Sequence, residues 1–137
     1  MALREHLSAV QSEDTLFGGV LIHSYALAEA AASDRLGVSS RTFTGIEDWG
    51  TRLLASNGET WDGVKDGLAG AVEVAVVRNA YAHGARDLDR GAAKRLRTAG
   101  RAEAATGDPV NLDYATLKRF RWRLRNLLGA GGVGRAS

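Results

Sequence analysis

Apolar residues along this chain recur mainly at intervals of three and four, and no stretch reads as a β-strand of any length. The pattern predicts a short helix over Ala2–Gln11, with Leu3, Leu7 and Val10 on one side, then a polar break at Ser12–Thr15 rich in residues that start helices. A long helix follows over Asp14–Leu36. Its apolar stripe is Leu16, Val20, His23, Leu27, Ala30 and Ala31, and Gly37 ends it. A shorter helix is expected over Ile46–Leu54 with Thr44 as cap, and Asn57-Gly58 marks a turn. The next helix is expected from Thr60 to Ala82. Four valines, Val72, Val74, Val76 and Val77, favour a strand by propensity, but length and a 3.6-residue period favour helix. Residues 85–111 read as an irregular helix or excursion, with a turn at Thr106–Pro109. A last helix is expected over Asp113–Leu128, capped by Asp113, burying Leu117, Phe120, Leu124, Leu127 and Leu128. The glycine-rich stretch 129–137 reads as a flexible tail. The sum is one all-α domain over residues 1–128, a bundle of four to five helices.

Composition narrows the class. The chain has no cysteine, which excludes disulfides and thiolate metal sites. Residues 1–6 do not start a signal peptide, and no apolar run approaches the roughly 20 residues of a membrane helix. A cytoplasmic protein without a membrane partner is the expectation. The net charge of +2 conceals an asymmetry. Residues 1–83 hold 6 Lys/Arg and 11 Asp/Glu, whereas residues 84–137 hold 12 Lys/Arg and 5 Asp/Glu. A polyanion would be drawn to the second half.

The basic half begins just after the segment Arg78-Asn79-Ala80-Tyr81-Ala82-His83, which Gly84 follows. A guanidinium binds phosphate through a planar fork, and an imidazole transfers protons near neutral pH. Together they point to phosphodiester chemistry without a metal. On a helix Asn79 and His83 share a face, whereas Arg78 lies about 140° round the axis and about 7.5 Å away along it. Convergence on one phosphate therefore requires either a helix that ends at His83, with Arg78 curling over, or two packed copies. Plainer roles are also open: Arg78 paired with Glu73 or Asp87, and His83 with Gly84 as a helix C-terminal cap.

An arginine followed by a polar residue and, after a short spacer, by His-Gly at the end of an apolar helix resembles the signature of the HEPN superfamily. The resemblance spans roughly residues 12–128, and its specific part is 78–84. It implies a small helical domain and, in many members, a metal-independent endoribonuclease of toxin–antitoxin, abortive-infection or RNA-guided defence systems. It also implies a homodimer with a composite site. Some members are silenced by modification of a tyrosine two places after the motif histidine; here that place is Ala85.

The chemistry follows from RNA. A 2′-hydroxyl attacks the adjacent phosphorus when a base, His83, takes its proton, or His83 protonates the leaving 5′-oxygen. Arg78 would stabilise the developing charge and Asn79 would orient His83 or hold a phosphate oxygen. The products would carry 2′,3′-cyclic phosphate and 5′-hydroxyl ends. Glu29 and Tyr81 are possible supports, one reaching Arg78 and the other packing or stacking a base. Lys118, Arg121 and Arg125 flank the apolar arc of the last helix on one side, Arg119 and Arg123 on the other, and the first three are candidate RNA-backbone contacts. Trp49, Trp61 and Trp122 read as core or interface anchors. No metal or cofactor motif is present. The expected partners are RNA, a second copy of the chain and an antitoxin protein. The alternative is a catalytically silent module that binds RNA or protein.

Overall fold

The polar stretch Ser12–Thr15 does not interrupt the first helix. In the computed structural model, which describes the backbone of residues 3–134 and side chains from Glu13 onward, α1 runs unbroken over Leu3–Leu36. The expected helix over Ala2–Gln11 is thus the first part of α1, apart from Ala2, which lies outside the described residues. Ser, Asp and Thr cap a helix that must begin, but without glycine or proline they cost only tenths of a kcal/mol inside one. The carboxylate of Asp14 is engaged elsewhere, by Tyr81 and Arg86. Gly37 ends α1 at φ 67°, with the Val38 N–H donating to the Ser33 carbonyl at 3.2 Å.

The inward face of α1 is also not the expected one. Gly18, Leu21, Tyr25, Ala28 and Ala32 are buried, whereas Leu16 is 63% and Leu27 58% exposed, and His23 and Ala30 are exposed too. Both faces have helical spacing. The bundle takes the one whose glycine and alanines admit close neighbours, since α1 packs against α2, α3 and α5 at once. The stretch Glu13–Leu36 is the one described segment long and apolar enough to cross a membrane by length and composition, although its inner face belongs to the core.

The second helix, α2, spans Ile46–Ser56, and Gly45 rather than Thr44 occupies its cap position. The Thr44 N–H instead donates to the Asp48 carboxylate at 3.1 Å. The expected helix from Thr60 starts later. Trp61–Gly63 form a 3₁₀ turn, Val64 is extended, Asp66 is left-handed at φ 63°, and α3 spans Gly67–Ala82. This helix is central: Ala71, Val72, Val74, Ala75, Val76 and Val77 are buried around most of its circumference. Its valines are helical because burial on several sides outweighs their modest propensity penalty.

Residues 85–111 form an organised excursion. A short helix, α4, spans Arg90–Thr98, with the Asp89 carboxylate accepting the Ala92 N–H at 2.7 Å. The arms of the excursion are tied by main-chain bonds: Leu88 N–H to Asp108 O and Gly107 N–H to Leu88 O, both 2.8 Å, and Val110 N–H to Arg86 O at 2.9 Å. The last helix, α5, spans Tyr114–Ala130. Asp113 caps it as expected, accepting the Thr116 N–H at 2.7 Å. Leu117, Phe120, Leu124 and Leu127 are buried, and Leu128 is half-buried. The first part of the expected flexible tail is packed: Asn57 Nδ2 donates to Ala130 O at 2.8 Å, and Gly131 and Gly132 are buried. The described residues form an all-α bundle of five helices.

Arg123, expected on the solvated flank of α5, is only 7% exposed. Its Nε donates to Asp66 Oδ2 at 2.7 Å, and one terminal nitrogen donates to Glu73 Oε1 at 2.7 Å and to Gly70 O at 3.1 Å. Arg101 adds a second cation to Glu73 at 2.8 Å. The Arg123 hydrogen bond holds the Asp66 carboxyl below the usual range. Arg123→Ala is expected to destabilise the fold by about 3 kcal/mol, because it leaves carboxylate and carbonyl acceptors unpaired. Arg123→Lys should recover less than half, since an ammonium lacks the fork. Urea unfolding of the three chains checks both.

Candidate functional site

The motif sits where α3 stops. Arg78 and Asn79 lie in its last turns, and His83 is the C-cap residue, with φ −99° and ψ 2°. Gly84 follows at φ 69°. The Ala85 N–H donates to Ala80 O at 2.8 Å and the Gly84 N–H to Tyr81 O at 3.3 Å, the paired bonds of a Schellman end. Glycine is needed at 84 because the left-handed conformation costs a Cβ-bearing residue. The result is an exposed imidazole at the end of a buried helix, at the negative end of its dipole.

His83 and Asn79 line a cavity of about 280 Å³ between the end of α3 and the excursion. Val76, Ala80, Leu88 and Ala92 supply apolar wall, and Asp87, Asp89 and Arg95 complete the polar part. Arg95 is spoken for: its Nε and a terminal nitrogen bind the Glu47 carboxylate of α2 at 2.7 and 2.6 Å. This fork holds the Glu47 carboxyl below its ordinary value, and fixes α4 as the outer wall of the cavity.

Arg78 points elsewhere. Its guanidinium carbon lies 4.1 Å from the centroid of the Tyr25 ring of α1. Its Nε is buried and has no hydrogen-bond partner among the described residues. The other described arginines at least partly withdrawn from solvent have carboxylates: Arg52 with Asp48, Arg95 with Glu47, Arg101 with Glu73, and Arg123 with Asp66 and Glu73. Glu73 therefore serves Arg101 and Arg123 and not Arg78. Neither Asp87 nor Glu29 makes an ion pair with Arg78 among the described residues. The structure thus brings Asn79 and His83 to one cavity and sends Arg78 round the helix to the α1 side, as the helical offset requires.

Tyr81 is a packing residue. Its hydroxyl donates to Asp14 of α1, which also accepts from Arg86 at 2.6 Å. Burial, then the bond to Asp14, raises the phenol well above its usual value. Its ring lies so close to Gly18 that a Cβ there would sit 2.5 Å from Tyr81 Cδ1. This clasp anchors the motif end of α3 to α1. Its sequence signal was a small residue on the same turn as an acid, Gly18 beside Asp14.

Lys118, Arg121 and Arg125 are exposed on α5 and make no ion pair among the described residues, whereas Arg123 beside them is consumed by the fold. Trp49 is fully buried, its Nε1 donating to the Tyr25 hydroxyl at 3.4 Å. Trp61 is half-buried and donates to Thr51 Oγ1 at 2.9 Å. Trp122 is exposed, with the Lys65 ammonium 4.6 Å from its ring centroid and Arg125 in the same shallow groove.

No protein-family model matches the chain, and comparison with curated proteins and with solved structures returns no match.

Gly18→Ala is expected to lower stability by about 1 kcal/mol, the overpacking against Tyr81 exceeding the gain in helix propensity. In a Tyr81→Ala background the same substitution should become stabilising. A double-mutant cycle from thermal unfolding reads the sign reversal.

Proposed function

We propose that this chain is a HEPN-type, metal-independent endoribonuclease acting in the cytoplasm as a homodimer, in the manner of a toxin or antiphage effector. The observation that carries the reading is Arg78. Arg78 is half-buried, and among the described residues its buried Nε has no hydrogen-bond partner and its guanidinium no carboxylate, which leaves a cation for an outside anion about 1.4 helical turns from the exposed His83 imidazole. The fork matches carboxylate and phosphate alike, and the neighbouring imidazole favours phosphate. The exposed cations Lys118, Arg121 and Arg125 support the same substrate class, as backbone contacts that carry no sequence information.

In this reading the ribose next to the scissile phosphate approaches His83 at the mouth of its cavity. His83 takes the 2′-hydroxyl proton, and that oxygen attacks phosphorus. The bond to the 5′-oxygen breaks, and that oxygen takes a proton from solvent water and leaves as the 5′-hydroxyl, while the proton on His83 returns to solvent. Asn79, one turn below on the same face, orients the imidazole or holds a phosphate oxygen. Arg78 exchanges the Tyr25 ring for the phosphate and neutralises the charge that grows on its oxygens. An antitoxin partner would be an acidic protein that covers the same cations.

Arg78→Ala and His83→Ala should each lower RNA cleavage by about three orders of magnitude or more while unfolding like the wild type. Cleavage should persist in EDTA and leave 2′,3′-cyclic phosphate ends. A wild-type chain that binds RNA but never cuts it would be the catalytically silent module instead. Mixing the two inactive variants distinguishes site geometries: recovered activity means Arg78 and His83 act from different chains, and no recovery means they act within one.

Replacing Lys118, Arg121 and Arg125 by glutamine in the His83→Ala background should weaken RNA binding. It should also reduce the slope of log K against log salt by roughly one unit for each phosphate that the helix no longer neutralises. A salt titration measures both, and an unchanged slope would remove α5 from the RNA interface.

A further inference from the structure

We infer that the cavity beside His83 is a guanine pocket, holding the base of the nucleotide on the 5′ side of the scissile phosphate. The placing of the ribose rests on the ribonuclease reading above, whereas the pocket itself is tested by binding alone.

The cavity has apolar surface on two sides. Val76, Asn79, Ala80 and His83 recur at intervals of three and four, so a single stripe of α3 forms one side, with the imidazole at its end. Leu88 and Ala92 supply apolar wall from the excursion. A flat ring between two such sides makes dispersion contacts on both faces. At about 280 Å³ the cavity lies just under the roughly 300–1,000 Å³ of pockets that take larger small molecules. It has room for one base, not for a dinucleotide.

The polar groups select the base. Ionised Asp87 and Asp89 are acceptors only. One oxygen of Asp89 accepts the Ala92 N–H; its other oxygen and both of Asp87 have no donor among the described residues. Arg95 lines the same cavity but is held by Glu47 and does not neutralise them. Two such carboxylates repel a phosphate. This accords with the place of Arg78, whose guanidinium lies outside the cavity against Tyr25. The base therefore enters and the phosphate stays out.

Of the four RNA bases, only guanine presents two adjacent donors on its pairing edge, N1–H and the N2 amino group, and one carboxylate accepts both. Adenine and cytosine set a ring-nitrogen lone pair beside their amino group, and uracil flanks its one N–H with two carbonyls. Each of these turns an acceptor toward the carboxylate. Guanine O6, next to N1, needs a donor in return. Gly91 of the first turn of α4 lines the cavity, and first-turn N–H groups have no acceptor within their own helix. The Asn79 amide is a second donor. A polyamine would also satisfy the carboxylates, but a flexible chain loses more freedom on binding than a rigid ring.

Calorimetric titration of the wild-type chain with the four 3′-nucleoside monophosphates tests the pocket without cleavage. 3′-GMP should bind about tenfold or more tightly than 3′-AMP, 3′-CMP and 3′-UMP, the discrimination of one bidentate contact. With Asp87→Ala/Asp89→Asn the four should bind within about twofold of one another. Both positions are exposed and asparagine keeps the α4 cap, so this variant should unfold like the wild type. On single-stranded RNA of mixed sequence the wild type should cut after guanosine, and the double variant should lose that preference. Equal binding of the four nucleotides by the wild type would overturn the guanine pocket even if the chain cuts RNA. So would a 3′-GMP preference that survives in the double variant. Spermidine binding more tightly than 3′-GMP to the wild type, and not to the double variant, would make the cavity a cation site instead. Selective 3′-GMP binding by a chain that never cuts RNA would uphold the pocket and overturn only the ribonuclease reading.

Discussion

Arg123 places a permanent cation inside a helical bundle, and much of the chain is arranged around that charge. Its fork reaches the residue before α3, a carbonyl in the first turn of α3 and a carboxylate one turn further on, so that α5 grips α3 at its beginning. Gly70 is part of the grip: a Cβ there would stand 2.5 Å from Asp66 Cβ and 3.2 Å from Arg123 Nε. Asp66 takes a left-handed conformation next to this cation, and the helix starts directly after it. With the start of α3 pinned by Arg123 and its end pinned by Gly84 and the Tyr81–Asp14 bond, the rotational setting of the motif is fixed. Arg78 leaves the helix on the α1 side, where it stacks on Tyr25, while Asn79 and His83 face the cavity.

The end of α3 was legible and its beginning was not, for a physical reason. Gly84 and Asp113 act through their own backbone neighbourhoods, so a short window of sequence carries the information. Asp66 ends one segment and starts another because of a side chain 57 positions away, and no local window contains that partner. Arg123 was read as one of several arginines flanking an apolar arc, since nothing in its spacing distinguishes it from Arg119 or Arg121. Residues 85–111 were opaque because their arms are held by main-chain bonds between distant positions rather than by periodicity. The inward face of α1 was misread because Leu16 and Leu27 outweigh Ala28 and Ala32 in hydrophobicity. A crowded position among three other helices selects for small size, which a count of apolar residues does not register.

The candidate site divides in the same way between local and distant causes. Asn79 and His83 share a cavity because four residues make about one turn, a relation visible in the sequence. What the sequence did not show is how the other charged groups are distributed. Glu47, Glu73 and Asp14 each draw nearby arginines into structural pairs, and among the described residues Arg78 is the partly buried arginine left over. The chemical interest of the motif comes as much from this allocation of carboxylates as from the Arg-x4-His spacing.

The excursion from Arg86 to Val110 has a consequence for motion. It is closed at its neck by three main-chain bonds and held to the bundle by Leu88, Ala93, Leu96 and the Arg95–Glu47 fork. α1, α2, α3 and α5 pack on one another without it. Such a segment can open as a cooperative unit at lower free energy than the whole chain. Amide protons of α4 would then exchange with solvent sooner than those of α3. Because α4 is the outer wall of the His83 cavity, such an opening would widen the cavity and admit a larger guest than its 280 Å³.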